Sequence, residues 1–165
     1  MWFPVRTIFF LARRLPALNR VALKQMASFY ADPQKMRTTM LKGLPKPDVR
    51  YLNAVPEAVD IFSADAREAH RNGVDGDAHE WQLYVRDWGF RIEDLSMEIA
   101  LWYGRQDVQV PPAMGEYFDR ALPNGKLHLV DDGAHFSTIN EHIDAIFDGL
   151  APATDRSELG ASGGG

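Results

Sequence analysis

Asp107 and His135 have the residue types and positions of a catalytic acid–base pair. Asp107 lies in the stretch "GRQDVQV" and His135 in the stretch "DDGAHFS". A carboxylate that accepts the N–H of an imidazole fixes the ring in one tautomer and stabilises its protonated form, which makes the histidine an effective general base. Simpler roles are open for both: Asp107 as the N-terminal cap of a helix near Pro111, and His135 as a loop residue with one backbone hydrogen bond.

Two predicted strands lead into these two loops. Residues 99–103, "IALWY", form a continuous apolar run that is typical of a strand in a buried parallel sheet, and residues 126–130, "KLHLV", form a second strand. Apolar residues at helical spacing predict a helix after Pro111 and a final helix over 139–150. Because ligands bind at the carboxyl ends of parallel strands, this order brings Asp107 and His135 together at one edge of the sheet.

The first ninety residues are predicted to be helical. Apolar spacing indicates helices over 18–30 and 33–44, the second with Asp32 as its N-cap and Pro33 at its first position. Two more are predicted from Pro56 to Gly73 and from Glu80 to Arg86. The tail, residues 151–165, is small, polar and glycine-rich, which predicts disorder.

Composition narrows the class of protein. Of the 165 residues, 45% are hydrophobic and 25% charged, as in an ordinary soluble globular domain. The net charge of −5, with no basic stripe, argues against nucleic acid as a partner. The absence of cysteine excludes disulfides and a thiol nucleophile and fits a cytoplasmic protein. The apolar run "TIFFLA" is too short to span a bilayer and lacks a cleavage pattern, so neither a membrane segment nor a signal peptide is expected.

The segment "IALWYGRQDVQVPPAMGEYFDRALPNGKLHLVDDGAHFS" resembles the C-terminal portion of the α/β-hydrolase family. Gly104, Asp107, Val110 and Pro111 match the family's Gly-x-x-Asp-x-x-Val-Pro pattern, and His135 followed by Phe136 matches its histidine step. Ala134 stands where the family usually has glycine. The resemblance implies that Asp107 orients His135 as the general base of a hydrolase for esters or related small molecules.

The same resemblance implies a domain plan. Residues 71–95 are similar to the end of a helical cap, so the expected fold is a partial α/β-hydrolase: a cap over 1–94, then a β-α-β-α segment of a parallel sheet over 95–150, then the tail over 151–165. Trp88 and Phe90 are the expected substrate-pocket residues under the cap. No cofactor and no metal is implied.

The nucleophile of such a hydrolase is not evident in this sequence. It should precede the cap on a strand–elbow–helix of Gly-x-Ser-x-Gly form, yet Ser28, Ser63 and Ser96 have no flanking glycines. The only matching string, over 160–164, follows no predicted strand and comes after the histidine. We therefore expect a truncated or split hydrolase that lacks its N-terminal half, its nucleophile and its oxyanion hole, and that is inactive in covalent acyl transfer as an isolated chain.

Three alternatives stay open. The chain could be an inactive fragment or an interaction module that docks or self-associates through an uncovered sheet. It could also be a small stand-alone enzyme in which His135 and Asp107 activate water directly.

The stretch "DGDAH" at 75–79 invites a metal interpretation, but it lacks the glutamate of a calcium loop and a second ligand cluster, so a loop with Asx turns is preferred.

Overall fold

The computed structural model describes residues 3–150, and the predicted tail lies outside them. The described part is a mixed α/β structure that is mostly helical and contains a two-stranded parallel sheet. The helices before the sheet are α1 (Phe3–Arg14), α2 (Pro16–Tyr30), α3 (Pro33–Lys35), a π-helical turn (Met36–Met40), α4 (Leu41–Gly43), α5 (Lys46–Ala54), α6 (Glu57–Ala69) and α7 (Asp75–Leu83). The prediction of a helical first part is confirmed. The predicted loop over 75–79 is wrong, because α7 begins at Asp75 and ends at Leu83 instead of running from Glu80 to Arg86.

Prolines and one aspartate set several of these helix starts. Asp32 caps α3, because its Oδ1 accepts the backbone N–H groups of Gln34 at 3.0 Å and Lys35 at 3.2 Å. α5 was not predicted, because the only signal used in this region was Pro45, as the end of the helix predicted over 33–44. Pro47 lies in the first turn of α5, where a missing N–H removes no helical hydrogen bond.

The second part contains the sheet and the candidate site. A short 3₁₀ turn, Ile92–Asp94, leads to β1 (Ile99–Gly104), α8 (Pro112–Ala121), β2 (Gly125–Val130), α9 (His135–Glu141) and α10 (Ile143–Leu150). The strands pair in parallel, from Ile99 opposite Gly125 to Gly104 opposite Val130, which confirms the predicted parallel pair. The prediction of a single final helix over 139–150 is wrong, because His142, at φ −123° and ψ 15°, leaves the helical region and separates α9 from α10.

The core lies mainly among the helices of the first part. One buried cluster joins Met36, Leu52, Ala58 and Val59, and a second joins Ile8, Leu23, Val74 and Ala78. Phe136, at the start of α9, packs against the first cluster, and its ring centroid lies 5.2 Å from that of Phe62. The loop that carries His135 is therefore packed onto the helices of the first part.

Candidate functional site

Asp107 and His135 are hydrogen-bonded to each other. Nδ1 of His135 lies 3.0 Å from Oδ2 of Asp107. The other carboxylate oxygen of Asp107 accepts the backbone N–H groups of Gln109 at 2.8 Å and Val110 at 2.9 Å. Asp107 thus organises its own loop with one oxygen and orients the imidazole with the other. The expected simpler role as the N-terminal cap of the following helix is wrong, because Pro111 is the N-cap residue of α8 and α8 has no side-chain cap.

The carboxyl ends of β1 and β2 bring the two loops together. The N–H of Arg105 donates to the carbonyl of Val130 at 2.9 Å, and that of Gln106 donates to the carbonyl of Gly133 at 3.0 Å. A Cβ on Gly104 would lie 2.5 Å from the Gly133 carbonyl oxygen, closer than atoms in contact can approach. The end of β1 must therefore be glycine for the His135 loop to pack against it.

Ala134 fits its position without strain. It is buried, and its φ of −137° is extended backbone that any residue adopts. The alanine that replaces the more usual glycine before the histidine is therefore compatible with the loop.

Asp48 is a site residue that the sequence did not indicate. It lies in the first turn of α5, is fully buried, and accepts hydrogen bonds from the backbone N–H groups of His135, Phe136 and Ser137. A local pattern could at most have placed an acidic residue near a helix start after Pro47. No sequence signal connects it with a helix 87 residues away.

The charges around the site raise the pKa of His135. The hydrogen bond to Asp107 is the main cause and outweighs partial burial, which acts in the opposite direction. The negative charges of Asp107 and Asp48 add to the effect. Burial, with a smaller contribution from the charge of Asp107, raises the pKa of Tyr103. The raised pKa of His135 means that its protonated imidazole is stabilised, as a general base requires once it has taken a proton.

His135 lines two clefts. The first, here called the apolar cleft, encloses about 210 Å³. Its lining residues are Tyr30, Met36, Leu44, Phe62, Ala66, Gln109, His135 and Phe136. The second, the strand-end cleft, encloses about 220 Å³ and is lined by Trp102, Tyr103, Gly104, Asp107, Val110, Ala134, His135, Thr138 and Ile139. Within residues 3–150, Nε2 of His135 makes no hydrogen bond, so this nitrogen is available to a group bound beside it.

Trp88 and Phe90 lie apart from these clefts. They are 59% and 53% exposed, and their ring centroids are 6.0 Å from each other. Nε1 of Trp88 donates to the carbonyl of Leu83 at 3.0 Å. Neither residue lines the apolar cleft or the strand-end cleft, so their role in substrate binding stays a prediction.

The other histidines and acidic residues form no metal site in the described part of the chain. No group of three His, Asp or Glu side chains there is arranged to bind a metal ion. In the stretch 75–79, Asp75 pairs with Arg20 at 3.0 Å, and Oδ2 of Asp77 lies 3.3 Å from Nε2 of His70. These contacts join α7 to α2 and to the end of α6.

No helix in residues 3–150 is long and apolar enough to cross a membrane.

Comparison of the chain with protein-family models finds no match, and neither a curated protein nor a solved structure matches it significantly.

Proposed function

We propose that Asp107 and His135 are the orienting carboxylate and the general base of a hydrolase of the α/β-hydrolase type. The observation that carries this proposal is the 3.0 Å hydrogen bond between Oδ2 of Asp107 and Nδ1 of His135, together with an Nε2 that is left without a partner in the described residues. With the proton on Nδ1, the lone pair of Nε2 can accept a proton from a nucleophile or a water molecule. The carboxylate then stabilises the imidazolium.

The apolar cleft favours an ester with an apolar acyl group as the substrate. Most of its lining side chains are aliphatic or aromatic, and Gln109 is the polar exception apart from His135 itself and the hydroxyl of Tyr30. Burial of an alkyl chain contributes about 0.8 kcal/mol per methylene group. A cleft of about 210 Å³ accommodates a short chain rather than a long fatty acid.

The nucleophile in this proposal comes from a segment outside the described residues. No serine of residues 3–150 is hydrogen-bonded to His135: Ser63 donates to the sulfur of Met36 at 3.1 Å, and Ser137 donates to Asp48 at 2.9 Å. Within the same range β1 and β2 pair only with each other, so the edge of β1 away from β2 has no strand partner there. A parallel strand added there, ending in a nucleophile elbow, would bring its nucleophile to the edge at which Asp107 and His135 meet.

Hydrolysis of p-nitrophenyl esters by the isolated chain tests the base. Because p-nitrophenolate is a good leaving group, His135 should accelerate the reaction by activating water even without the missing nucleophile. We expect the excess rate over buffer to be lost in His135→Ala and strongly reduced in Asp107→Asn. The matched control is His79→Ala, an exposed histidine on α7 that lines neither cleft, which should retain the rate. An unchanged rate in His135→Ala would contradict the proposal.

The same assay tests the apolar cleft. The butanoate ester should react faster than the acetate ester, and Ala66→Leu, which fills the cleft, should remove that preference. Ala69→Leu is the control, because Ala69 lies on the same helix but is exposed. If both variants keep the preference of the wild type for the butanoate ester, the acyl group binds elsewhere.

An interaction module remains the second candidate, because α9 and α10 carry large apolar side chains that are exposed within the described residues. Phe147 is 63% exposed and Leu150 is 68% exposed, and Ile139 and Ile143 are also exposed. Sedimentation velocity over a range of protein concentrations separates the candidates. A dimer that dissociates in Phe147→Asp, in a chain without His135-dependent hydrolysis, would favour the interaction module.

A further inference from the structure

Asp48 is a buried carboxylate whose hydrogen bonds all go to the first turn of α9. Oδ1 accepts from the N–H groups of Phe136 and Ser137, each at 2.9 Å, and from the hydroxyl of Ser137 at 2.9 Å. Oδ2 accepts from the N–H of His135 at 3.1 Å. A fully buried charge is tolerated only when such donors replace its lost hydration, and the first N–H groups of a helix have no partner within the helix.

These bonds fix the main chain of His135. α9 begins at His135, so the position of its first turn determines whether the imidazole reaches Asp107. The carboxylate that fixes this turn belongs to α5, which also carries Arg50. The guanidinium of Arg50 pairs with Asp132, before the histidine, and with Glu141 at the end of α9 at 2.9 Å. α5 therefore contacts the His135 segment on both sides of the histidine.

We propose that Asp48 is a positioning residue for the general base: it anchors the first turn of α9 to α5 so that His135 is oriented toward Asp107. This inference rests on the proposed function, because it assigns Asp48 a role in the chemistry of His135 beyond stability. Asp48 does not contact the substrate in this scheme, since it lines neither cleft and is fully buried behind the histidine main chain.

The charged groups around His135 define what a change at Asp48 does to its titration. Asp107, in the loop after β1, and Asp48, on α5, are the two carboxylates whose charges act on the imidazole. Arg50, on the same helix as Asp48, is paired with Asp132 and Glu141. From α2, the titratable group on the cleft side is the phenol of Tyr30, whose pKa is raised by burial, so it is neutral at neutral pH. Removal of the Asp48 charge therefore lowers the pKa of His135.

The test compares Asp48→Asn with Asp119→Asn in the full chain. The amide introduced by Asp48→Asn retains one oxygen acceptor but loses the charge and the second acceptor. Asp119 is the matched control because its carboxylate also accepts a backbone N–H from another element, that of Leu127 at 3.1 Å, but has no bond to α9. The pKa of His135 is measured by NMR titration, with its signal identified by its absence in His135→Ala. The rate of p-nitrophenyl ester hydrolysis is measured at a pH at which His135 is deprotonated in every variant.

In Asp48→Asn we expect a lower pKa for His135 and, on the order of 10- to 100-fold, a slower His135-dependent hydrolysis, because a small misplacement of a catalytic group has a large effect on rate. Asp119→Asn should change neither. A merely structural Asp48 would lower the pKa of His135 through the lost charge alone and leave the rate of hydrolysis unchanged, and that result would overturn the proposal. If the wild-type chain shows no His135-dependent hydrolysis, the proposed function fails, and the Nδ1 proton shift of His135 in Ser137→Ala, which keeps the Asp48 charge, decides the role of Asp48.

If Asp48→Asn does not fold, Ser137→Ala replaces it as the test. Its hydroxyl donates to Asp48 and accepts the N–H of Ala134 at 2.9 Å, so its removal loosens the same turn and leaves the carboxylate charge in place. We expect slower hydrolysis with a weakened His135–Asp107 hydrogen bond, seen as an upfield shift of the Nδ1 proton. Wild-type values for both would refute the positioning role.

Discussion

We expect Gly104→Ala to break the hydrogen bond between Asp107 and His135, because it adds one methyl group at the end of β1 where the backbone of Gly133 lies close. The added Cβ would lie 2.5 Å from the Gly133 carbonyl oxygen and 2.5 Å from the Thr138 hydroxyl. Atoms in contact prefer about 3.5 Å, so the His135 loop must retreat by about 1 Å. The Asp107–His135 distance is 3.0 Å, and such a retreat takes it beyond hydrogen-bonding range.

The expected loss of stability follows from three contributions. Overpacking against backbone atoms that cannot rotate away costs about 1–3 kcal/mol. Loss of a hydrogen bond to a charged group costs about 1.5 kcal/mol or more. The lower entropy of alanine in the unfolded chain recovers about 0.4–1 kcal/mol. We therefore expect the free energy of unfolding to fall by about 3 kcal/mol.

Urea denaturation measures this loss, and NMR titration of His135 measures the broken pair. Because the hydrogen bond to Asp107 is the main cause of the raised pKa of His135, that pKa should fall in Gly104→Ala. The control is Gly76→Ala on α7, where an added Cβ has no neighbour within 4 Å and helix propensity favours alanine. If Gly104→Ala has the stability and the His135 pKa of the wild type, the close approach at the end of β1 does not position the dyad.

Three further outcomes are expected. The folded state raises the pKa of His135 above its ordinary value of 6.5. The stabilisation by the protonated imidazole is therefore complete below pH 6.5 and is lost as the pH rises through the raised value. Urea denaturation from about pH 6 to 9 should show this decline in the free energy of unfolding, and Asp107→Asn should flatten it. Arg50→Met should change the free energy of unfolding only slightly, and urea denaturation should show that this effect shrinks in high salt, because the ion pairs of Arg50 are solvent-exposed. Leu52→Ala should cost about 2–5 kcal/mol in thermal or urea unfolding, because Leu52 is 1% exposed in the cluster beneath α5, and a loss below about 1 kcal/mol would contradict that packing.

The elements with strong local signals were predictable from the sequence. β1 and β2 are apolar runs that end in polar loops, and their parallel pairing brings Asp107 and His135 together as expected. Local pattern failed where two signals conflicted or where spacing continued through a break. Pro45 was interpreted as the end of a helix, so α5 was not predicted. The apolar spacing over 139–150 continues through His142, so the break between α9 and α10 was not predicted either. The π-helical turn of Met36–Met40 has no local signature that we can identify.

The roles of Asp48 and of the two clefts depend on contacts between distant parts of the chain. Asp48 and His135 are 87 residues apart, and the apolar cleft draws its walls from α2, α6 and the start of α9. An apolar residue such as Trp88 or Phe90 can be expected to avoid water, but the sequence does not say which surface it will cover. Here the two rings contact each other at an exposed position.

The described residues supply several contacts that orient His135. Asp107 orients the ring, Gly104 and Gly133 allow the loop to approach β1, and Asp48 anchors the first turn of α9. The dyad is therefore ordered before any further strand adds to the edge of β1 away from β2, and such a strand would not have to supply the free energy that orients the base. It follows that a segment that completes the proposed hydrolase needs to contribute only the nucleophile and its oxyanion donors, and that its docking should leave the hydrogen bond between Asp107 and His135 unchanged.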